Sequence, residues 1–268
     1  MKSPRNPRER LFGIEFDAVD MPEAVERIYN WVESGEKICR CVVTPNVDRA
    51  VLHEQHAALQ QAYADAALVL ADGAPLVAAA RLLGRPLPCR VPGSDLAPAL
   101  FEAAADRGGL RVFLLGAGPG VAERAAANIA SRWSTVEVVG TYSPPLGFER
   151  DAEENESILA KIAAVKPDVL IVGFGAPKEE LWIVAHRARI EAAVTLCLGA
   201  TIDFLAGKQQ RAPRWMRRAG LEWLHRVASE PRRLAGRYAR DAWIFPQLVW
   251  RQWISDTRQT ASRRASSG

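Results

Sequence analysis

The stretch Asp168-Val169-Leu170-Ile171-Val172-Gly173-Phe174-Gly175-Ala176-Pro177-Lys178 sets the fold. Four apolar residues in succession, Val169 to Val172, leave no polar side to face water, so the segment reads as a strand covered on both faces. Gly173 and Gly175 turn the chain, and a helical pattern follows from Lys178 to Glu191. Strand, glycine bend and helix form one step of a parallel sheet with crossover helices.

The same order recurs outward in both directions. Short apolar runs at 38–43, 67–71, 111–115, 135–140, 168–173 and 194–198 predict strands. Amphipathic stretches at 22–34, 47–64, 74–83, 94–107, 120–132, 152–165 and 178–191 predict helices between them, with Pro22 in a first turn and Ser94 as a cap. The expected fold class is α/β: a Rossmann-like, doubly wound, mostly parallel sheet over 1–207, followed by a helical basic C-terminal appendage over 208–268.

Charge separates the two parts. From Lys208 to Gly268 there are 14 Lys/Arg against 4 Asp/Glu, whereas the whole chain has 35 against 31. The first 207 residues are therefore acidic, with 21 basic against 27 acidic side chains (35 − 14 and 31 − 4). Five of the eight tryptophans, Trp215, Trp223, Trp243, Trp250 and Trp253, also fall in the basic part. Arginine attracts phosphate, and tryptophan suits the level of lipid headgroups, so an anionic membrane surface is the expected partner. Pro213, Pro231 and Pro246 are expected to interrupt the appendage, and the stretch after Ser255 has nothing to bury and reads as disordered. No run approaches the ~18 apolar residues needed to cross a bilayer. The basic N-terminus lacks the apolar stretch of a signal peptide. Cys39, Cys41, Cys89 and Cys197 form no CxxC pair, which favours reduced thiols and a cytoplasmic setting over zinc or disulfides.

In doubly wound sheets ligands bind beyond the carboxyl ends of the strands. Five polar or glycine-rich loops follow predicted strands: Thr44-Pro45-Asn46-Val47-Asp48, Asp72-Gly73-Ala74-Pro75, Gly116-Ala117-Gly118-Pro119-Gly120, Gly173 to Lys178, and Gly199-Ala200-Thr201. On one rim they imply one shared pocket. Asp72 is the sharpest candidate, a carboxylate after an apolar strand whose surroundings would raise its pKa and suit it as a general base. The alternative is a cap for the helix after Gly73. Thr44 and Asn46 offer a hydroxyl and an amide to a hydroxyl-rich substrate, or Asn46 caps a helix. Gly116, Gly118 and Gly175 allow backbone N–H groups to approach a diphosphate, or only turn the chain. Lys178 opposes the dipole of the helix it begins, a placement that contact with phosphate or sugar would favour. Glu179 and Glu180 suit a helix N-terminus.

Other chemistries find less support. The glycine loop misses the dinucleotide fingerprint because Val121 holds its sixth position, and the following strand lacks the ribose-binding acid. An NAD(P)-dependent oxidoreductase is one alternative class; a non-catalytic basic membrane or nucleic-acid adaptor is another, although no nucleic-acid module is present. His53 and His56 lack the companions of a metal site, and no DxD, P-loop or Gly-x-Ser-x-Gly motif occurs. No metal or cofactor is expected.

Together the motifs resemble the WecG/TagA/CpsF glycosyltransferase family of bacterial surface-polysaccharide synthesis. The likeness runs from about Phe12 to about Tyr238 through Thr44-Pro45-Asn46, Ala71-Asp72-Gly73, Arg90-Val91-Pro92-Gly93-Ser94-Asp95-Leu96 and Gly173 to Glu180. It continues through Ala212-Pro213-Arg214-Trp215-Met216, Gly220-Leu221-Glu222-Trp223, Arg226, Glu230-Pro231, Arg233 and Arg237-Tyr238. The resemblance implies an inverting transfer of a sugar such as N-acetylmannosamine, N-acetylmannosaminuronic acid or glucose. The donor would be a UDP-sugar and the acceptor a sugar on a polyprenyl diphosphate, met by a peripheral enzyme at the inner face of the membrane. It places the catalytic base at Asp72 and substrate contacts at Thr44, Asn46, Gly73 and Arg90, with arginines Arg214, Arg226 and Arg233 reaching over the site. Relatives self-associate, and the sequence is compatible with that. Many relatives carry Gln where this chain has Glu179, which puts a donor contact there in question.

Overall fold

The computed structural model describes residues 8–266 except 214, 217 and 218, with side chains described except at 233 and 259–266. The chain opens with a hairpin, β1 (Arg8–Leu11) and β2 (Ile14–Asp17). Phe12 and Gly13 turn it with φ of 55° and 80°, the positive angles that match the twist of paired strands. The hairpin was not among the expected strands. Its signal was short: Leu11, Ile14 and Phe16 are buried beside an exposed Arg10 and Glu15.

After α1 (Met21–Glu33) come β3 (Arg40–Val43), α2 (Val47–Gln55), α3 (Ala57–Ala64), β4 (Leu68–Val69), α4 (Ala74–Leu82) and α5 (Gly93–Ala103). Next are β5 (Leu110–Gly116), α6 (Val121–Arg132), β6 (Val136–Tyr142), α7 (Ala152–Val165), β7 (Val169–Gly173), α8 (Lys178–His186), β8 (Val194–Cys197) and α9 (Thr201–Leu205). All six expected strands form one parallel sheet, in the order β4-β3-β8-β7-β5-β6. Three helices differ from expectation; the one expected to reach Glu191 ends at His186. The stretch 47–64 divides at His56, whose ring Nδ1 accepts from Leu59 N (3.3 Å) and so starts α3 anew. Ser94 lies inside α5, which begins after Pro92.

Alternation along the strands sends side chains to two cores. Val42, Val112, Ile171 and Leu196 join α1, α5, α6 and α9 on one face. Val43, Phe113, Val172 and Cys197 join the hairpin, α2, α3, α4, α7 and α8 on the other. The neighbouring strands β3 and β8 thus send their following helices, α2 and α9, to opposite faces. A crevice opens where they part, at the carboxyl ends of the strands.

The C-terminal segment lies along this body. It contains α10 (Glu222–Ser229) and α11 (Pro231–Ser266). Pro246 does not interrupt α11, contrary to expectation. It is exposed, so water can reach the carbonyl its ring leaves unpaired, while Phe245 and Leu248 anchor both sides of the kink-prone turn against Val51 and Ala79. Pro231 is the first helical residue, where its missing N–H costs little. The helix runs past Ser255 to Ser266, as Arg, Gln and Ala propagate a helix already begun. Gln252 fastens α11 to the hairpin, accepting from Phe12 N (2.7 Å) and donating to Arg10 O (3.0 Å). No helix among the described residues is long and apolar enough to cross a membrane.

Candidate active site

Asp72 stands just beyond β4, its own N–H donating to Pro45 O (3.0 Å) and so tying two rim loops together. Gly73 follows with φ of 98°, a conformation side-chain-bearing residues avoid, and α4 starts there without a side-chain cap. The Asp72 carboxylate is therefore not that helix's cap. It lines the shared wall of two cavities, each of about 340 Å³.

The first cavity is polar and lies in the crevice between β3 and β8. Thr44, Asn46, Gly175, Thr201 and Gln209 line it beside Asp72. Asn46 also caps α2, its Oδ1 accepting from Arg49 N (3.2 Å), so the cap and the cavity share one side chain. The second cavity is mostly apolar. It is enclosed by Val47, Pro75, Trp223, Tyr238, Phe245 and Pro246, with Gly73 and Arg90 near Asp72. Arg226 and Arg237 line both cavities.

The C-terminal segment completes the site. Arg90 Nη1 donates to Glu222 Oε2 (3.0 Å), holding α10 against the rim. Gly220, at φ of 72°, passes so near α4 that a Cβ there would meet Ala74 Cβ at 2.7 Å. Arg237 and Arg240 reach Asp48 (3.8 and 2.6 Å), which follows Asn46 on α2. The Arg226 guanidinium has no hydrogen bond or ion pair among the described residues and lies 5.8 Å from the Phe204 ring centroid. That leaves a cation facing both cavities.

Burial pushes the Asp72 carboxyl up to about 6 against the pull of Arg49; Glu222 adds to the rise, and Arg226 and Arg90 moderate it. A carboxylate of this kind is ionised at neutral pH yet keeps useful proton affinity.

Beneath the polar cavity lies a charged cluster. Arg49 Nη2 donates to Glu179 Oε1 (2.8 Å) and Arg49 Nε to Glu180 Oε1 (3.2 Å). Tyr63 OH donates to Glu180 Oε1 (3.3 Å), and Glu180 Oε2 is buried without a hydrogen-bond partner. Glu179 Oε2 accepts from Gly175 N (3.1 Å) and Gly199 N (3.2 Å), bracing two rim loops from below. Burial raises the Glu179 pKa, and the adjacent Glu180 charge raises it further.

Of the residues singled out in the sequence, Asp72, Thr44, Asn46, Gly73, Arg90, Gly175 and Arg226 come together around the two cavities. Gly116, Gly118, Lys178 and Glu179 do not line them. At Gly116 a Cβ would lie 2.8 Å from the Gly173 carbonyl, and at Gly173 one would lie 2.9 Å from Gly199 O, so these glycines let strand ends pack closely. Ser143 Oγ donates to Gly116 O (3.1 Å) and Gly118 O (3.3 Å). Lys178 pairs with Glu149 (3.1 Å). The N–H of Gly175, expected to meet a diphosphate, is taken by Glu179, as is that of Gly199. Arg214 and the side chain of Arg233 lie outside the described residues. Sequence reasoning missed Arg49 as part of the site; its signal, a cation three residues after the helix-capping Asn46, is indistinct from an ordinary surface arginine. Arg237 and Tyr238 were visible as motif residues without a role.

A sheet crevice with a half-buried carboxylate, hydroxyl and amide groups, and facing arginines defines a group-transfer site. The chain belongs to the WecG/TagA/CpsF family of glycosyl transferases, whose sequence profile matches residues 9–259. It is a glycosyltransferase. Among similar proteins is the N-acetylglucosaminyldiphosphoundecaprenol N-acetyl-β-D-mannosaminyltransferase of Staphylococcus aureus strain MW2, 30% identical over 224 residues, or 84% of this chain and 85% of the relative. The protein of the same name from strain NCTC 8325 matches to the same extent.

Proposed function

We propose that the chain transfers a hexose-type sugar from a UDP-sugar to a sugar carried on a polyprenyl diphosphate, with inversion, in bacterial cell-surface polysaccharide synthesis. The observation carrying this reading is Asp72 on the wall between a polar and an apolar cavity, with Arg226 unpaired beside it. The polar cavity takes the nucleotide sugar against Thr44, Asn46 and Thr201. Asp72 accepts the proton of the acceptor hydroxyl as that oxygen attacks the anomeric carbon. The bond from that carbon to the phosphate oxygen breaks, and the nucleoside diphosphate leaves with the electron pair. Because Glu179 occupies the Gly175 and Gly199 N–H groups, the growing charge falls to Arg226 and Arg237. The relatives' names support a lipid-linked N-acetylglucosamine acceptor and an N-acetylmannosamine donor sugar.

The test is a screen of UDP-sugars with a short-chain prenyl diphosphate N-acetylglucosaminide, read by mass spectrometry. A product heavier by one sugar residue is expected. Absence of product with every donor would overturn the UDP-sugar donor and the prenyl-linked acceptor assigned here.

The enzyme works at the membrane surface in this reading. Trp243, Pro246, Trp250 and Trp253 recur on the outward side of α11, and the three tryptophans are 75%, 61% and 53% exposed. Five of the exposed large apolar side chains are tryptophans of the C-terminal segment. Such rings, flanked by arginines, suit the headgroup layer of an anionic leaflet. Trp243→Gln with Trp250→Gln is expected to weaken sedimentation with phosphatidylglycerol vesicles roughly tenfold or more, ~1.4 kcal/mol. Binding should also fall as salt rises. Unchanged sedimentation of the double variant would remove this face from the membrane contact.

A further inference from the structure

The geometry points to the apolar cavity under α11 as a subsite for the first isoprene units of the acceptor's prenyl chain. This rests on the proposed function and specifies which part of the substrate each cavity holds. Three observations carry it.

The first is composition along the cavity. Its charged part includes Asp72 and Arg226, shared with the polar cavity, together with Arg90, Asp48, Arg237 and Asp241, while most of its surface is apolar, from side chains such as Val47, Pro75, Trp223, Tyr238, Phe245 and Pro246. A sugar with a diphosphate fills only the charged part. Something apolar must cover the remainder, and the acceptor is the one reactant with hydrocarbon directly attached to its diphosphate. A cavity of about 340 Å³ accepts a few isoprene units and no more.

The second is continuity. Pro246 lines the cavity and is itself exposed on the same outward stripe of α11 as Trp243 and Trp250. A chain leaving past Pro246 therefore emerges at the tryptophan face, where the bilayer would receive the rest of its length. The third is how the wall is held. Gly220 rests against Ala74 and Glu222 on Arg90, so the segment carrying Trp223 is fixed across the cavity by contacts beside the charged part. The first units of the chain would thus be gripped by protein and the remainder by lipid. Acceptor selection then includes the hydrocarbon nearest the diphosphate, independently of membrane binding.

The experiment uses the full chain with no membrane or detergent, and acceptors carrying one to four isoprene units below their micellar concentrations. For the parent, kcat/KM is expected to rise roughly tenfold or more for each of the first two units and then to level off. Ala242 lines the cavity from α11, and Ala242→Trp fills it and should flatten this rise. Trp223→Ala removes a wall instead and should flatten it as well. In parallel, quenching of tryptophan fluorescence by a three-unit prenyl diphosphate should appear in the parent and shrink in Trp223→Ala. Transfer that proceeds equally with every chain length would overturn the subsite while leaving the proposed function intact. Absence of transfer to any acceptor would overturn that function and the subsite with it.

Discussion

Asp72→Asn is expected to lower kcat by ~10²–10⁴ while leaving the fold and donor affinity in place, the loss typical of removing a positioned general base. Asparagine keeps the volume and one carbonyl oxygen of aspartate, so both cavities persist. The parent's kcat/KM should fall about tenfold per pH unit below about 6, where burial has moved this carboxyl, and plateau above it. The variant should lack that acid limb. Stability should move the other way. A carboxyl whose folded pKa is raised contributes stability that is present below its unfolded pKa and lost as pH rises through about 6. At pH 7.5 the Asn variant should therefore unfold at the parent's temperature or slightly above it. Near-normal turnover in a folded Asp72→Asn enzyme would leave this side chain a structural group and move the base elsewhere.

The strands and the rim were legible because they follow local rules. Val169 to Val172 can only be covered on both faces, and a glycine or a polar turn after each such run marks where the chain bends. That is why the sequence alone places Asp72, Thr44 and Asn46 on one rim. What could not be read was which glycine loops face a ligand and which face each other. Gly116 and Gly173 follow strands in the same pattern, yet one backs directly onto the other's carbonyl. Sequence gives no measure of that 2.8 Å approach. Lys178 was similarly ambiguous, since a cation at a helix start has an electrostatic reason to seek phosphate, and Glu149 on a distant turn answers the same need. Pro246 failed for a related reason: the rule that proline ends helices holds unless packing on both sides carries the helix through, and that packing on Val51 and Ala79 is tertiary. Arg49 shows the limit most plainly. Its two partners come from residues 130 and 131 positions away, and nothing local marks it as turned inward.

Arg49→Met is expected to destabilise the protein by ~3–5 kcal/mol, because it leaves Glu179 and Glu180 buried without their shared cation. The side chain is 12% exposed and its carboxylate partners 0% and 1%, so water cannot substitute for the guanidinium. The deficit should depend on pH in a direction the cluster dictates. Glu179 already has a raised pKa from burial and from Glu180, and loss of Arg49 removes the charge that opposes the rise. Its stabilising contribution is present when protonated and lost as pH climbs through the folded pKa, so the variant should approach the parent at pH 5 and fall furthest behind at pH 8. Denaturant unfolding at the two values, alone and combined with Glu179→Gln, measures this. The second substitution removes one buried charge while keeping an acceptor for the Gly175 and Gly199 N–H groups, and should recover part of the loss at pH 8 but little at pH 5. A deficit equal at both pH values, with no recovery from Glu179→Gln, would mean that packing of the arginine stem, rather than its charge, holds the floor of the site. The charged floor also bears on Asp72, since Arg49 is the cation acting most strongly to lower its pKa. Arg49→Met should therefore shift the acid limb of kcat/KM upward from about 6, a change that loss of packing alone would not produce.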